Sequence, residues 1–191
     1  MSIVLLNREL SASTWKLKAK LAQYTYLYLA PTASCGLGLF TAKEWKAGST
    51  VLRVDDPHYL SKARPLAQLK ARGYAYPELF QVAPDLFIPP YRGLDDFTNH
   101  SCEPNCGLRV DRHGFEMIAL RDITASEELT YDYSTHQEHP EDHMICNCAF
   151  PSCRGVIGSF SSLAPELRRR YIELGIVADF AAAGASRAAN G

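Results

Sequence analysis

The residues of this sequence best suited to chemistry are three cysteines near its carboxyl end. Cys146, Cys148 and Cys153 follow a Cys-x-Cys-x4-Cys spacing. Thiols this close, in a chain whose amino-terminal residues lack the apolar stretch of a secretory signal, argue for metal binding in a reducing compartment rather than for disulfides. Tetrahedral zinc needs four ligands, so the fourth must come from elsewhere in the fold. A site made only of cysteines leaves no position for water, which predicts a structural metal.

A second dense stretch runs from Thr98 to Cys106 with the sequence TNHSCEPNC. A plain turn needs a Pro and an Asn, not this mixture of Asn, His, Ser and Cys. Two partner stretches are Gly36-Leu37-Gly38 upstream and Glu127 to Tyr133 (EELTYDY) downstream. The simplest interpretation of Gly-x-Gly is a turn. The alternative is a binding role, because a ligand can approach the backbone of glycine where a side chain would collide with it. Tyr131 and Tyr133 are two residues apart, so on a strand both side chains lie on one face.

In this order, the motifs resemble the SET-domain protein lysine methyltransferases. The resemblance rests on Asn-His-Ser-Cys-x-Pro-Asn, then Glu-Leu-Thr-Tyr-Asp-Tyr, then the Cys-x-Cys-x4-Cys of a post-SET zinc segment, and it covers about Ala30 to Ser159. It implies a mainly β fold (β-clip or SET-like) of small curved sheets around a knot-like crossing, with few short helices. In that crossing, the chain through Asn99 and His100 is expected to thread under a loop near Tyr133. The residue pattern alone reaches only a β-rich fold with some helix.

The resemblance also assigns a methyl donor and a metal to named residues. S-adenosylmethionine is expected to be bound by Gly36, Leu37, Gly38, Asn99, His100, Tyr133 and Ile157. Structural Zn²⁺ is expected to be held by Cys102, Cys146, Cys148 and Cys153, with Cys106 a rival for the fourth position. The metal would tie the carboxyl-terminal tail over the stretch from Thr98 to Cys106, which is the central motif of the chain.

The implied reaction is methyl transfer to a lysine side chain of a protein, with a histone tail among the candidate substrates. The nucleophile is neutral lysine, so a desolvating channel and the sulfonium cation should lower its pKa from ~10.4. Tyr133 matches the position of the family's catalytic tyrosine. Tyr131 matches the position that limits the number of methyl groups, and a tyrosine there implies mono- or dimethyl-lysine.

This chain departs from the family's usual pattern at two places. Many members carry an aromatic-x-Gly-Glu element where this chain has Val54-Asp55-Asp56-Pro57, which leaves open whether an active-site tyrosine comes from there. That departure keeps a non-catalytic, peptide-binding SET-like module as an alternative, beside a small zinc-stabilised interaction domain. The intact Tyr133, Asn99 and Gly-x-Gly favour the enzyme. Where Ser126 stands, the family usually has Gly, a difference expected to affect turn geometry more than chemistry.

The elements that must position these residues are mostly short strands. Runs of β-forming residues predict strands at 24–29 and 49–54, and turn signals predict hairpins at 79–88 and 107–120. Helical spacing predicts helices at 65–72 and 164–174. The run from Ser134 to His143, with His136, His139 and His143, is predicted to be an exposed flexible connector, with a His-rich metal site as the alternative.

Composition limits the remaining possibilities. The chain has 191 residues, 47% of them hydrophobic and 21% charged, which is typical of one soluble globular domain. A net charge of -1 gives no basic field for nucleic acid or anionic membrane, and neither partner is predicted. The expected divisions are an amino-terminal arm (1–23), a SET domain (24–145), a post-SET zinc segment (146–160), and a carboxyl-terminal helix with a flexible tail (161–191). Cytoplasm is the default location and the nucleus the alternative; the oligomeric state stays open.

Overall fold

The computed structural model describes residues 24–32, 36–56, 58–90, 93–111, 113–139 and 143–188. Its strands are β1 Leu27–Pro31, β2 Leu37–Thr41, β3 Thr50–Asp55, β4 Arg64–Pro65, β5 Phe80–Ala83, β6 Leu86–Ile88, β7 Asn99–His100, β8 Cys106–Asp111, β9 Gly114–Ala119, β10 Thr130–Tyr131, β11 Met144–Ile145 and β12 Val156–Ile157. The described α-helices are α1 Leu66–Ala71, α2 Pro165–Glu173 and α3 Asp179–Ala188. Short 3-10 helices cover Leu60–Lys62, Tyr76–Glu78, Asp95–Phe97, Tyr133–His136 and Phe160–Ser162. The predicted amino-terminal arm and Cys35 lie outside the described residues.

None of the helices in the described part of the chain has the length and apolar character of a transmembrane segment.

The main core is built on the antiparallel sheet β3-β9-β8. The central strand β9 is buried along almost its whole length, because it has a neighbour on each edge and side chains packed on both faces. Phe115 and Met117 of this strand pack with Leu52 and Leu108 of the flanking strands. The predicted hairpin at 107–120 is this β8–β9 pair. Small sheets with few helices confirm the predicted fold class.

Two smaller pairings carry the motifs. Strands β1 and β2 form an antiparallel ladder that aligns Gly38 with Ala30. Strands β7 and β10 pair in parallel, with Asn99 opposite Thr130 and His100 opposite Tyr131. A parallel pair joins stretches distant in sequence, so this one brings the two central motifs side by side. The knot-like crossing predicted from the sequence involves these same two stretches, the one through Asn99-His100 and the one that leads to Tyr133.

The structure contradicts the prediction of a flexible tail as far as Ala188, and residues 189–191 lie outside the described part of the chain. Asp179–Ala188 forms α3, which buries Ala181 and Ala185 against a second core that contains Phe160, Tyr171 and Ile176. Alanines four residues apart lie on one helix face, and their small side chains allow close packing. The spacing of Ala181 and Ala185 indicates a helix, but the high content of small residues in this segment suggested disorder instead.

The turn at Ser126 has a backbone conformation that favours glycine. Ser126 has a φ of 70°, in the left-handed region that costs a non-glycine residue about 1–2 kcal/mol. Its backbone amide donates to the Thr41 carbonyl at 2.7 Å, a bond that glycine would retain. We expect Ser126→Gly to raise the free energy of unfolding by about 1 kcal/mol in urea denaturation. Ser126→Ala keeps the strained backbone, and an equal gain from it would contradict this explanation.

Candidate active site

A cavity of about 440 Å³ is lined by side chains of the EELTYDY motif. Tyr131 and Tyr133 both contribute to its wall, with ring centroids 4.8 Å apart and planes at 41°. Burial raises the pKa of Tyr131 well above its usual value, with smaller contributions from neighbouring groups that begin with Tyr133 and Tyr59. Tyr133 begins a 3-10 helix and is not a strand residue, so the shared face arises from a turn of the chain. An aromatic cavity of this kind suits an apolar chain that ends in a neutral amine.

Tyr133 is fixed by two hydrogen bonds to the central motif. Its hydroxyl donates to the Thr98 carbonyl at 2.9 Å, and its backbone amide donates to His100 Nδ1 at 3.2 Å. Because the hydroxyl donates its proton to the Thr98 carbonyl, the phenol oxygen can act only as a hydrogen-bond acceptor towards a substrate in the cavity.

His100 links this tyrosine to the cysteines. Because Nδ1 accepts the Tyr133 amide, the proton of the neutral ring lies on Nε2, which is 3.4 Å from Cys102 Sγ. Burial lowers the pKa of His100 to about 4, against a raising effect of the Asp132 charge and a lowering effect of Arg154. The 3.5 Å contact between His100 and Asp132 is therefore not an ion pair at neutral pH.

Asp132, between the two tyrosines, is the junction of three segments. Its side chain is fully buried and accepts hydrogen bonds from Arg154 Nη2 at 2.8 Å, the Ser134 amide at 3.1 Å and the Tyr171 hydroxyl at 3.1 Å. Arg154 follows the last cysteine, and Tyr171 lies on α2. The buried carboxylate thus connects the tyrosine motif to the cysteine segment and to the second core. Sequence reasoning missed this role for all three partners.

The two glycines of Gly36-Leu37-Gly38 are needed for different reasons. Gly36 has a φ of 75°, and a Cβ there would meet open space. A Cβ at Gly38 would collide with the Glu128 carboxylate and with Thr32 Cγ2 at 2.6 Å. Asn99 holds this turn in place, since its Nδ2 donates to Leu37 O at 3.2 Å and to Glu128 Oε1 at 2.7 Å.

Asn105 has a structural function that the sequence did not reveal. It is 3% exposed, and its side chain donates to Glu128 O at 2.7 Å and accepts from the Thr130 amide at 2.9 Å. These bonds satisfy the backbone on either side of Leu129. The Asn of the Pro-Asn pair thus fixes the entry to β10.

The four predicted metal ligands converge. The sulfurs of Cys102, Cys146, Cys148 and Cys153 all lie within 4.8 Å of one another. The sulfurs of Cys102 and Cys146 are 3.7 Å apart, far beyond disulfide length. Tetrahedral zinc with Zn–S bonds of ~2.3 Å sets its sulfurs roughly 3.8 Å apart, so the donor set fits that ion. The amides of Arg154 and Gly155 point at two of the sulfurs, at 3.4 Å each, as suits thiolates.

Cys106, the rival fourth ligand, lies elsewhere. It begins β8, is 0% exposed, and packs in the main core. Burial raises the pKa of its thiol to about 12, which disfavours the thiolate that binds a metal. The structure therefore groups Cys102, and not Cys106, with the other three.

A tyrosine does reach the cavity from the altered element after β3. Tyr59 follows Asp56, whose carbonyl accepts the Tyr59 amide at 2.8 Å. It is 2% exposed, lines the cavity, and has a pKa raised above its usual value by burial and by the charges of Asp95 and Asp96. Val54-Asp55-Asp56-Pro57 thus lacks a tyrosine of its own, but a tyrosine that lines the cavity follows it by two residues.

The prediction of an exposed connector at 134–143 is wrong for its first half. His136 is 2% exposed and lines the cavity, and His139 packs against the rings of Tyr76 and Phe87 at centroid distances of 5.5 and 5.6 Å. His143 is exposed. Within the described ranges, no candidate metal cluster includes any of these histidines.

The buried His136 gives stability a pH dependence. Burial lowers its pKa from 6.5 to about 3, so between these values the unfolded chain binds a proton that the folded protein does not. Its contribution to the free energy of unfolding is complete above about pH 6.5 and decreases as the pH falls towards 3. From pH 7 to pH 5 we expect a loss of roughly 2 kcal/mol from this group, at 1.36 kcal/mol per pH unit. Urea denaturation at both pH values should show this loss in the wild type, and a correspondingly smaller one in His136→Phe. An equal loss in both proteins would contradict the assignment.

Ile157, the last predicted contact of the methyl donor, is 5% exposed on β12. It packs in a small cluster with Cys102 and Cys146, against which Tyr133 also lies. A chain of contacts therefore joins Leu37, Asn99, His100, Tyr133 and Ile157.

Comparison with known proteins agrees with this geometry. The SET-domain family model matches residues 36–134, just over half of the chain. The H3 lysine-4-specific histone-lysine N-methyltransferase of Saccharomyces cerevisiae is 35% identical over 106 residues, which cover 49% of this chain and 10% of that protein. The histone-lysine N-methyltransferase ash1 of Drosophila melanogaster is 45% identical over 75 residues, covering 37% of this chain and 3% of that protein. The chain therefore spans about a tenth or less of the length of these relatives.

A solved structure shows the same fold. KRYPTONITE, in complex with mCHH DNA, an H3(1-15) peptide and SAH, aligns with a TM-score of 0.51 and 24% identity over 69% of this chain and 29% of that one. The family match covers the Gly-x-Gly turn, the central motif and both cavity tyrosines. The chain belongs to the SET-domain family.

Proposed function

We propose that this protein is a protein-lysine N-methyltransferase that uses S-adenosylmethionine. The observation that carries the proposal is the aromatic cavity in which Tyr131 and Tyr133 lie in contact, beside the paired Asn99-His100 strand of a SET-family chain. Relatives named as histone-lysine N-methyltransferases support the same activity.

The residues around Gly36 fit a bound methyl donor. The turn is exposed at Gly36 and Leu37, and no atom lies within 4 Å of where a Cβ of Gly36 would stand, so a ligand can approach the backbone. Asn99 holds that turn against β7, and Ile157 is a buried apolar residue of the cluster against which Tyr133 packs. When bound, S-adenosylmethionine supplies an activated methyl group, whose bond to sulfur breaks as the lysine nitrogen's lone pair forms the new N–C bond.

The cavity residues prepare the lysine for this attack. Tyr59, Tyr131 and Tyr133 exclude water from the lysine chain, and desolvation favours the neutral amine. The Tyr133 oxygen is held as an acceptor and orients the amine's N–H groups. The methylated amine carries an extra proton, which it must lose to water before a second transfer.

The proposed metal is structural zinc held by Cys102, Cys146, Cys148 and Cys153. Four thiolates leave no position for water, so the ion would stabilise the cysteine segment 146–160 and take no part in the reaction. It would fix Arg154 against Asp132 and the Cys102 sulfur against His100, which are the contacts that reach the tyrosines.

Histones are the substrate class that the relatives' names support, and the product is expected to be mono- or dimethyl-lysine because Tyr131 carries a hydroxyl. A histone substrate favours the nucleus over the cytoplasmic location expected from sequence. The peptide-binding alternative rests on the altered element at Val54 to Pro57. Tyr59, which lines the cavity just after that element, supports the enzyme over this alternative.

A labelling experiment tests the proposal. The protein is incubated with methyl-labelled S-adenosylmethionine, core histones and a cell lysate, in parallel with reactions that lack the protein. We expect protein-dependent label in at least one band, with mass spectrometry locating mono- or dimethyl groups on lysine. Label on a residue other than lysine would overturn the reaction class. No label from a protein that contains zinc and binds S-adenosylhomocysteine would favour a binding module instead.

A further inference from the structure

His136 stands in the wall of the substrate cavity without a role in the site described above. Its ring stacks on Phe80, with centroids 5.4 Å apart and planes at 29°, and meets Tyr131 edge to face at 6.3 Å and 80°. It closes the 3-10 helix that begins at Tyr133. The imidazole is therefore held rigidly between two aromatic side chains of the cavity.

The hydrogen bonds around His136 determine its tautomer. The Thr135 hydroxyl donates its single proton to the Asp132 carbonyl at 2.7 Å. In its 2.9 Å contact with His136 Nδ1, the same oxygen can therefore only accept, so Nδ1 carries the ring proton. Nε2 is left with a lone pair. Burial lowers the pKa of His136 to about 3, so the ring is neutral at physiological pH and Nε2 is a poor proton acceptor but a competent hydrogen-bond acceptor.

That lone pair is unsatisfied. Nε2 of His136 is buried and has no hydrogen-bond partner within the described part of the chain, and the same holds for Gln137 Oε1 and Thr98 Oγ1 in the wall of the same cavity. Buried polar atoms without partners are rare, and each calls for an explanation such as a bound water, an ion or a functional role. Two of the three, Nε2 and Oε1, can only accept. A ligand that satisfied these two atoms would have to bring N–H groups and reach them past the side chains that cover them.

We propose that His136 Nε2 accepts a hydrogen bond from the target amine of the substrate and so limits how many methyl groups the amine can receive. The proposal rests on the proposed methyltransferase function. A neutral primary amine that attacks through its lone pair has two N–H groups, and each transfer replaces one N–H by a methyl group. A methyl group placed against Nε2 leaves the lone pair unsatisfied, so the acceptor disfavours the methylated amine as the next substrate. His136 would thus act beside Tyr131 as a specificity-determining residue.

The first test measures product distribution. His136→Phe keeps a flat ring between Phe80 and Tyr131 and removes the acceptor. We expect the ratio of higher methylated products to monomethyl-lysine, compared at equal total transfer, to rise about tenfold, as for the loss of one hydrogen bond of ~1.4 kcal/mol. His113→Phe, at an exposed turn between β8 and β9, is the matched control and should keep the wild-type ratio. An unchanged ratio in His136→Phe, or an equal change in the control, would overturn the proposal.

The second test needs neither transfer nor a known protein substrate. Imidazole ¹⁵N chemical shifts of the wild-type protein are recorded at pH 7 with n-butylamine, a lysine side-chain analogue, and with butyltrimethylammonium, which has no N–H. The His136 signals are identified by their absence from His136→Phe. We expect an unprotonated Nε2 whose resonance moves upfield with butylamine alone. A protonated Nε2, or a shift change with both compounds or with neither, would refute the proposal that Nε2 accepts a hydrogen bond from the amine.

The two tests separate this proposal from the function on which it rests. Absence of lysine methylation together with the butylamine response would defeat the proposed function and leave the acceptor in place. Lysine methylation without that response would defeat only the role of His136.

Discussion

Replacing Tyr133 by phenylalanine is expected to lower methyl transfer by about 100-fold or more while leaving the fold intact. The ring would keep its 4.8 Å contact with Tyr131, so the cavity keeps its shape. The substitution removes the oxygen that the Thr98 carbonyl holds at 2.9 Å and with it the acceptor that orients the amine. Misplacing reacting groups by about 1 Å costs on the order of 100-fold in rate. The lost hydrogen bond itself costs only about 1 kcal/mol of stability.

Single-turnover rates with methyl-labelled S-adenosylmethionine, alongside urea denaturation, separate these two effects. Tyr28→Phe is the matched control, because Tyr28 lies on β1, stacks on Phe40 and is not among the cavity residues. We expect the control to transfer methyl groups at the wild-type rate. A Tyr133→Phe protein that retained wild-type rates would remove the hydroxyl from the proposed mechanism.

What the sequence predicted well was local. The hairpins at 79–88 and 107–120 form as β5–β6 and β8–β9, because β-forming residues and their turns are adjacent in the chain. Helices 65–72 and 164–174 form as α1 and α2 for the same reason. The ordered motif set predicted the family, since few other folds need those residues in that order.

What the sequence did not predict depends on contacts between distant segments. His136 stands in a polar, His-rich run that looks solvated, and only the packing of Phe80 and Tyr131 buries it. Tyr59 follows an altered element, and nothing nearby in sequence shows that it turns towards the cavity. Spacing alone did not decide between Cys102 and Cys106. In the structure Cys102 lies with the other three sulfurs, whereas Cys106 begins a strand that faces the core.

Removing the proposed zinc should have the other large effect. We expect one zinc per chain in the purified protein, and loss of both zinc and methyl transfer in Cys146→Ser. Structural zinc sites contribute several kcal/mol or more to folding, and without the ion no bond holds the four sulfurs within 4.8 Å of one another. For a chain of this size, each kcal/mol shifts the melting temperature by roughly 2–4 °C, so a fall on the order of 10 °C is expected.

The loss of transfer follows from two contacts that connect the cysteines to the tyrosines. Cys102 Sγ faces His100 Nε2, whose other nitrogen accepts the Tyr133 amide, and Arg154 binds the carboxylate of Asp132. When the cysteines separate, both contacts lose their anchor, and the residues on either side of Asp132 lose their fixed orientation.

Cys106→Ala is the control that tests ligand choice. Cys106 is buried in the main core and lies outside the sulfur cluster, so this variant should keep one zinc per chain and lose only the packing of a small side chain. Metal analysis and thermal denaturation of both variants check the prediction. Zinc retained in Cys146→Ser, or lost in a folded Cys106→Ala protein, would contradict the ligand set. Zinc lost with undiminished transfer would instead show that the contacts through His100 and Arg154 do not position the active site.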